Sequence, residues 1–212
     1  MQGKESKKQR KTQESKIVYN IKIILLGESG VGKSNLINVY IKNEFEENKL
    51  PSAYLSESFK EITIQDKSLC VSLWDTMGQE QYRSITKNFI NGSNIVIFVY
   101  DITREDTILE LEYWVNLARE VLNDKEVIFG VAGNKIDLLN KAKVNYEDGE
   151  AFAQKIKAVF CETSAKENKG FEKLVNSLLE KLISNENIMN KIEQTKENDD
   201  SFHIQNSKGK CC

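Results

Sequence analysis

The central part of the chain alternates short apolar runs with longer amphipathic segments. Strand-like runs end near residue 26 and occupy residues 59–64, 69–75, 95–100, 127–132 and 158–161, and the polar turn at 65–67 predicts a hairpin. Helical patterns separate the other runs, and the last predicted helix, over 171–183, carries one apolar stripe. The alternation predicts an α/β fold with a six-stranded, mostly parallel sheet and helices on both faces.

Both ends of the chain lack this periodicity. Residues 1–19 are polar and rich in Lys and Arg, which predicts a disordered basic arm. Residues 20–184 are predicted to form one domain. Residues 185–212 are rich in Asn, Glu and Lys, which predicts a flexible tail that ends in Cys211 and Cys212.

Composition narrows the possible partners. A chain of 212 residues that is 40% hydrophobic and 29% charged can bury one full core. Its 30 basic and 32 acidic side chains leave a net charge of -2, which argues against nucleic acid as the main partner. The sequence shows no apolar stretch of about 18 residues, no signal-peptide pattern and no glycine at the myristoylation position. We therefore expect a protein that is made and kept in the cytosol.

A glycine-rich turn connects the first predicted strand to the first predicted helix. It has the spacing GxxxxGK[ST], in which glycines let backbone N–H groups approach a polyphosphate and the helix N-terminus adds partial positive charge. Lys33 would reach the β- and γ-phosphates, and Ser34 would ligate Mg²⁺. The residues assigned to this phosphate site are Gly27, Glu28, Ser29, Gly30, Val31, Gly32, Lys33, Ser34 and Asn35.

A second motif, WDTMGQE at residues 74–80, ends the third predicted strand. Folds of this type bind ligands at the carboxyl ends of their strands. Asp75 can hold the hydration shell of Mg²⁺, and the Gly78 amide can reach a γ-phosphate. Gln79 can orient a water molecule for attack on that phosphate.

Two more motifs indicate the base. NKID at residues 134–137 ends the fifth predicted strand, and ETSAK at 162–166 ends the sixth. The Asp137 carboxylate can accept two hydrogen bonds from the N1–H and the 2-amino group of guanine, a donor pair that adenine lacks. Backbone amides of Ser164, Ala165 and Lys166 can meet the guanine oxygen. Asn134 and Asp137 therefore indicate a guanine nucleotide.

Together these motifs resemble those of the Ras superfamily of small GTPases over about residues 20–184. The sequences YRSI at 82–85 and VYDIT at 99–103, and the terminal Cys-Cys in place of a C-a-a-X box, resemble the Rab family. The resemblance implies a P-loop small GTPase fold that binds GTP or GDP with Mg²⁺. It also implies that Phe45 stacks on guanine, that Lys135 packs over the base, and that Ser52 ligates Mg²⁺ when GTP is bound.

The resemblance further implies how such a protein is used. GTP is hydrolysed slowly to GDP, with Lys33 and Gln79 in the catalytic roles, and the nucleotide state controls effector binding in vesicle trafficking. The implied partners are an exchange factor, a GAP, effectors, the prenylation machinery and a GDP-dissociation inhibitor. Prenyl groups on Cys211 and Cys212 would hold the protein on the cytoplasmic face of intracellular membranes, from which it cycles through the cytosol.

Three positions depart from the Rab pattern. Switch I reads Ser52-Ala53-Tyr54 where Rab proteins usually carry Thr-Ile-Gly, Met77 replaces an alanine, and Glu57 replaces an effector-facing phenylalanine. Ser56 and Ser58 are alternative metal ligands if the loop is re-registered. The departures leave open a second function, that of a GTP-binding scaffold with negligible hydrolysis. A third hypothesis, an adenine-specific kinase or ATPase, is opposed by the guanine-specific carboxylate.

Overall fold

Six strands form one mixed sheet in the order β2-β3-β1-β4-β5-β6. The computed structural model describes residues 17–47, 56–76, 83–123 and 126–202. Within these ranges, the strands β2 and β3 pair in the antiparallel sense, as a hairpin, and the other neighbouring strands are parallel. The predicted α/β fold is therefore confirmed. The strands are β1 (Val18–Leu26), β2 (Ser56–Ile64), β3 (Lys67–Asp75), β4 (Ile95–Asp101), β5 (Ile128–Asn134) and β6 (Val159–Thr163).

Helices cover both faces of the sheet. Residues of α1, α6 and α7 line one apolar core, and residues of α4 and α5 line the other. Side chains alternate along a strand, so β1 sends Ile23 to the first core and Ile24 to the second. The helices are α1 (Lys33–Lys42), α2 (Arg83–Ile90), α3 (Glu105–Leu109), α4 (Leu111–Val121), α5 (Tyr146–Ile156), α6 (Phe171–Ile183) and α7 (Glu186–Phe202), with a 3-10 helix at Ile136–Lys141.

The first strand begins earlier than predicted. β1 starts at Val18, so the predicted arm of residues 1–19 is wrong at its last two positions. Tyr19 is buried, and it pairs with Leu69 of β3. Its hydroxyl donates a hydrogen bond to the Glu193 carboxylate over 3.1 Å. An aromatic ring that is buried at one end and hydrogen-bonded at the other stabilises this extension of the strand.

The chain continues as a helix beyond the predicted end of the domain. The prediction of a flexible tail from Asn185 is wrong for residues 186–202, which form α7. Ile188 and Met189 are buried in the first core, and Ile192 packs against that core. The Asn185 side chain accepts a hydrogen bond from the Ile188 N–H over 3.2 Å, as helix-capping residues do. Three apolar positions in a polar segment are a weak sequence signal, and burial against the domain stabilises the helix.

The described part of the chain contains no helix that is long and apolar enough to cross a lipid bilayer. Residues 1–16 and 203–212 lie outside the described residues, and the second range includes Cys211 and Cys212. The basic arm and the prenylation sites therefore stay predictions.

Replacing Ile188 by alanine should lower the free energy of unfolding by about 2 kcal/mol or more, because the change leaves a cavity between α7 and the domain. Urea unfolding of the full chain measures the effect. Asn190→Ala, on the exposed side of the same helix, is the matched control and should barely change the midpoint. Equal midpoints for Ile188→Ala and the wild type would show that α7 does not dock on the domain in solution.

Candidate functional site

Four loops meet at the carboxyl ends of the parallel strands. Gly27 follows β1, Asp75 ends β3, Asn134 ends β5, and residues 164–166 follow β6. The parallel register pairs Leu25 of β1 with Asp75, which places this carboxylate beside the start of the glycine-rich loop. This is the edge of the sheet at which α/β folds bind ligands.

The phosphate loop (residues 27–34) needs glycine at two positions for steric reasons. Gly27 has a φ of 147°, and a Cβ atom there would collide with the Val99 carbonyl oxygen of β4. Gly32 has a φ of 100°, and a Cβ atom there would collide with the Asn134 side-chain amide. Positive φ and close backbone approach both exclude ordinary side chains. The two glycines therefore hold the loop against the ends of β4 and β5.

Every carbonyl group from Gly27 to Val31 accepts a hydrogen bond from a side chain. The Lys33 ammonium donates to the first two carbonyls, over 2.6 and 2.8 Å. The next three acceptors bind side chains from outside the loop: Ser29 O binds Arg104 Nη1 over 3.0 Å, Gly30 O binds Lys135 Nζ over 2.8 Å, and Val31 O binds Asn134 Nδ2 over 2.8 Å. The loop is thus fixed by the segments that follow β4 and β5.

Peptide planarity then orients the amide groups of the loop. In a trans peptide the C=O bond and the following N–H bond point in opposite directions. Because the carbonyls of residues 29–31 are held by outside groups, the N–H groups of Gly30, Val31 and Gly32 face the concave side of the loop. Gly32 has no side chain that could cap α1, so the positive end of that helix opens on the same side. This arrangement has the geometry of an anion-binding site.

Lys33 is a buried cation at the first residue of α1. Burial lowers the pKa of Lys33 to about 8, and the carboxylates of Asp75 and Glu28 oppose that shift. A polyanion in the loop would favour the charged form of this side chain and raise its pKa again. The electrostatics of the loop therefore favour an anionic ligand next to Lys33.

A buried carboxylate attaches the phosphate loop to α4. Glu28 is buried, and its Oε1 accepts a hydrogen bond from the indole N–H of Trp114 over 3.1 Å. Trp114 belongs to the second apolar core. The loop is therefore connected to the packing on that face of the sheet.

Asn134 and Asp137 belong to a hydrogen-bonded loop cluster after β5 and β6. Asn134 Oδ1 accepts hydrogen bonds from Thr163 Oγ1 over 3.2 Å and from the Ala165 N–H over 3.3 Å. Asp137 Oδ1 accepts a hydrogen bond from Ser164 Oγ over 2.6 Å. Ser164 in turn accepts a hydrogen bond from the Glu167 N–H over 3.0 Å. These bonds fix the orientation of the Asp137 carboxylate.

Lys135 bridges the phosphate loop and the end of β4. Its backbone has a φ of 73°, and its ammonium pairs with Asp101 Oδ2 over 2.7 Å while it donates to Gly30 O. Asp101 is buried and also accepts hydrogen bonds from the Thr103 N–H and hydroxyl over 2.9 and 2.7 Å. The Lys135 ammonium thus connects the phosphate loop with the end of β4.

The remaining predicted residues fall into two groups. Within the described ranges, Asn35 Nδ2 donates to Glu46 O over 2.9 Å, Phe45 is partly exposed on the loop after α1, and Lys166 pairs with Glu47 over 3.1 Å. These contacts bring the Phe45 loop to the site. Outside the described residues lie Ser52, Ala53, Tyr54, Met77, Gly78 and Gln79.

Sequence reasoning missed several residues that support the site. Arg104, Asp101 and Trp114 were not among the predicted site residues, although each bonds a loop residue or Lys135. Asp101 stands in the VYDIT sequence and Arg104 directly follows it. Their place at the end of the fourth predicted strand was the sequence signal that could have indicated a role in the site. The partners of these side chains are remote in sequence and emerge only from the fold.

A phosphate loop between β1 and α1, with the NKID and ETSAK loops at the same sheet edge, defines a P-loop nucleotide-binding protein. The family model of the Ras family matches residues 22–184. The chain is 37% identical to human "Ras-related protein Rab-17" over 76% of both chains, and 36% identical to human "Ras-related protein Rab-21" over 78% of this chain and 73% of that one. It is also 37% identical to "Ras-related protein Rab11B" of Nicotiana tabacum, over 76% and 74%. The chain belongs to the Ras family as a Rab-type small GTPase, and members of this family are GTP hydrolases.

Gly32→Ala should weaken GDP binding by more than about tenfold, because its Cβ atom displaces the Asn134 amide from Val31 O. Equilibrium binding of fluorescent GDP to the full chain measures the effect. Gly92→Ala is the matched control: Gly92 also has a positive φ, of 72°, but a Cβ atom there meets nothing within 4 Å. Both variants should share a backbone cost of about 1 kcal/mol. Equal GDP affinities would contradict the steric role of Gly32.

Proposed function

We propose that this chain is a Rab-like switch that binds GTP or GDP with Mg²⁺ and hydrolyses GTP slowly to GDP. The observation that carries the proposal is the position of Asn134 between two loops. Its Nδ2 donates to Val31 O of the phosphate loop, and its Oδ1 accepts from the Ala165 N–H of the ETSAK loop. One side chain therefore sets the spacing between the phosphate site and the loops assigned to the base.

Guanine selection is assigned to Asp137. Its carboxylate is oriented by the 2.6 Å hydrogen bond from Ser164. Two carboxylate oxygens can accept the N1–H and 2-amino donors of guanine together, whereas adenine offers no such pair. The Lys166 amide would serve the guanine oxygen, with Phe45 and Lys135 on the two faces of the base. The amides of Ser164 and Ala165, also predicted for this role, instead donate to Lys169 O over 2.9 Å and to Asn134 Oδ1 over 3.3 Å.

The residues at the phosphate end fit a polyphosphate with Mg²⁺. A Cβ atom at Gly32 would displace the Asn134 amide that holds this loop, and a buried lysine stands next to a buried carboxylate. Lys33 and the loop amides would bind the β- and γ-phosphates. Ser34 would hold the metal directly and Asp75 through water. When bound, Mg²⁺ supplies positive charge that neutralises the phosphate oxygens.

A second direct protein ligand for the metal in the GTP state comes from switch I in this proposal. A count without gaps from Ser34 places Ser52 at the switch I position that ligates the metal. Ser56 is the alternative, because the antiparallel register places it directly opposite Asp75 on the same face of the sheet. Ser58 lies opposite Leu73, two pairs farther along the hairpin, which makes Ser58 the less suitable ligand.

Hydrolysis would depend on positioning and electrostatics rather than on covalent chemistry. Gln79 would orient the attacking water, and Lys33 would stabilise charge on the γ-phosphate. Arg104 already donates to Ser29 O and pairs with Asp106, so its guanidinium is engaged outside the loop. We therefore assign the transition-state arginine to an external GAP, an addition worth about 10³ to 10⁵ in kcat in such enzymes.

Membrane attachment is proposed for the two C-terminal cysteines. One lipid chain gives only reversible binding, and Cys211 and Cys212 offer two adjacent thiols for prenyl groups. On this basis the protein would act on the cytoplasmic face of intracellular membranes in vesicle trafficking, and cycle through the cytosol. An exchange factor, a GAP, effectors, prenylation machinery and a GDP-dissociation inhibitor are the partners that this role requires.

Asp137→Asn should weaken GTP binding by about ten- to a hundredfold and strengthen xanthosine triphosphate binding, because an amide matches the altered donors and acceptors of xanthine. Competition of both nucleotides against fluorescent GDP measures the change. Asp66→Asn removes an exposed carboxylate from the β2–β3 turn and should leave both affinities unaltered. Unchanged GTP affinity in Asp137→Asn, without a gain for the xanthine nucleotide, would contradict the assignment of the base site.

A further inference from the structure

Arg104 binds the Ser29 carbonyl, and of the side chains that bind carbonyls 27–31 it is the one that was not among the predicted site residues. We infer that Arg104 is a positioning residue for phosphate binding: it fixes the Ser29–Gly30 peptide so that the Gly30 N–H faces the phosphate. The inference rests on the proposed function, since it requires a phosphate in the loop. It assigns to Arg104 a role that acts through the loop backbone, without contact to the nucleotide.

The backbone of Arg104 is itself well fixed. Its N–H donates to Asp101 O over 2.9 Å, and its carbonyl accepts from the Thr107 hydroxyl over 2.6 Å. The residue stands at the N-terminus of α3 in an extended conformation, with a φ of -132°. The side chain therefore starts from a rigid position at the end of β4.

The guanidinium joins two acceptors with two nitrogens. Nη1 donates to Ser29 O over 3.0 Å, and Nη2 pairs with Asp106 Oδ2 over 2.7 Å. The hydrogen bond to Asp106 and its charge raise the pKa of Arg104, and the nearby charges of Asp101 and Glu28 add to that shift. A planar fork can serve both acceptors at once, whereas a lysine has a single nitrogen.

Without the contact to Arg104, the Ser29–Gly30 peptide could adopt the opposite orientation. Ser29 and Gly30 occupy a turn, and Gly30 has a φ of 77°. Turn types differ by rotation of the central peptide, and glycine tolerates either conformation. In the opposite orientation the Ser29 carbonyl would face the phosphate and repel it. By binding this carbonyl from outside, Arg104 favours the orientation in which the Gly30 N–H can donate to an anion.

The test compares the full chain with Arg104→Ala and Arg104→Lys, each loaded with GDP and Mg²⁺. Release of fluorescent GDP should be about tenfold faster in Arg104→Ala, and Arg104→Lys should recover part of the loss because it keeps one charged donor. Arg119→Ala is the control arginine variant. Arg119 belongs to α4 and lies over the ring of Phe129 in β5, so its guanidinium is not placed on the phosphate loop. The control variant should release GDP at the wild-type rate.

A spectroscopic readout separates positioning from general destabilisation. In the GDP complex labelled with ¹⁵N-glycine, Arg104→Ala should shift the Gly30 amide resonance strongly and leave the Gly32 amide nearly unchanged. The Gly32 N–H follows the Val31 carbonyl, which Asn134 holds independently. The two glycines therefore report on two separate carbonyl contacts in one spectrum.

The outcomes distinguish this inference from the proposed function. Failure of the wild-type chain to bind GDP would overturn both. If the wild type binds GDP and the Gly30 resonance and GDP release are unaltered in Arg104→Ala, the inference alone is wrong. Equal shifts of Gly30 and Gly32 would also overturn it, because they would indicate a general loosening of the loop.

Discussion

The site depends on one constraint, which is that the carbonyl groups of the phosphate loop are held by other side chains. A loop of six residues before α1 has many possible peptide orientations, and an anion requires that its N–H groups face inward. Arg104, Lys135 and Asn134 meet this requirement from outside the loop by binding three successive carbonyls. These side chains belong to the ends of β4 and β5. The loop therefore adopts the conformation with inward N–H groups only when β1, β4 and β5 are paired in their native register.

That alignment comes from the packing of the sheet. Every residue of β4 and β5 is buried, and Gly133 leaves room for the ring of Tyr100 on the neighbouring strand, where a Cβ atom would lie 2.5 Å from its hydroxyl. The parallel register then places Asp101 beside Asn134. Asp101 holds Lys135, and Asn134 joins the phosphate loop to the ETSAK loop. The apolar core and the polar site are thus parts of one arrangement.

Local pattern was sufficient to predict the sheet and the glycine-rich turn between β1 and α1, since each has its signal within a few residues. Long-range contacts were not predictable in this way. Arg104 meets Ser29 across 75 positions and Trp114 meets Glu28 across 86, so neither contact leaves a local trace. Helix α7 was not predicted for a related reason. Ile188 and Met189 stabilise the helix by burial in the first core, and the sequence of the segment alone does not show that burial. Ser52 and Gln79 lie outside the described residues, so their roles stay predictions.

A crystal structure of the full chain with GDP and Mg²⁺ would show the orientation of the loop peptides. We expect the N–H groups of Gly30, Val31 and Gly32 each to lie about 3 Å from phosphate oxygens. We also expect the carbonyls of residues 29–31 to stay on Arg104, Lys135 and Asn134. Carbonyls turned toward the phosphate, or a nucleotide bound away from this loop, would contradict this expectation.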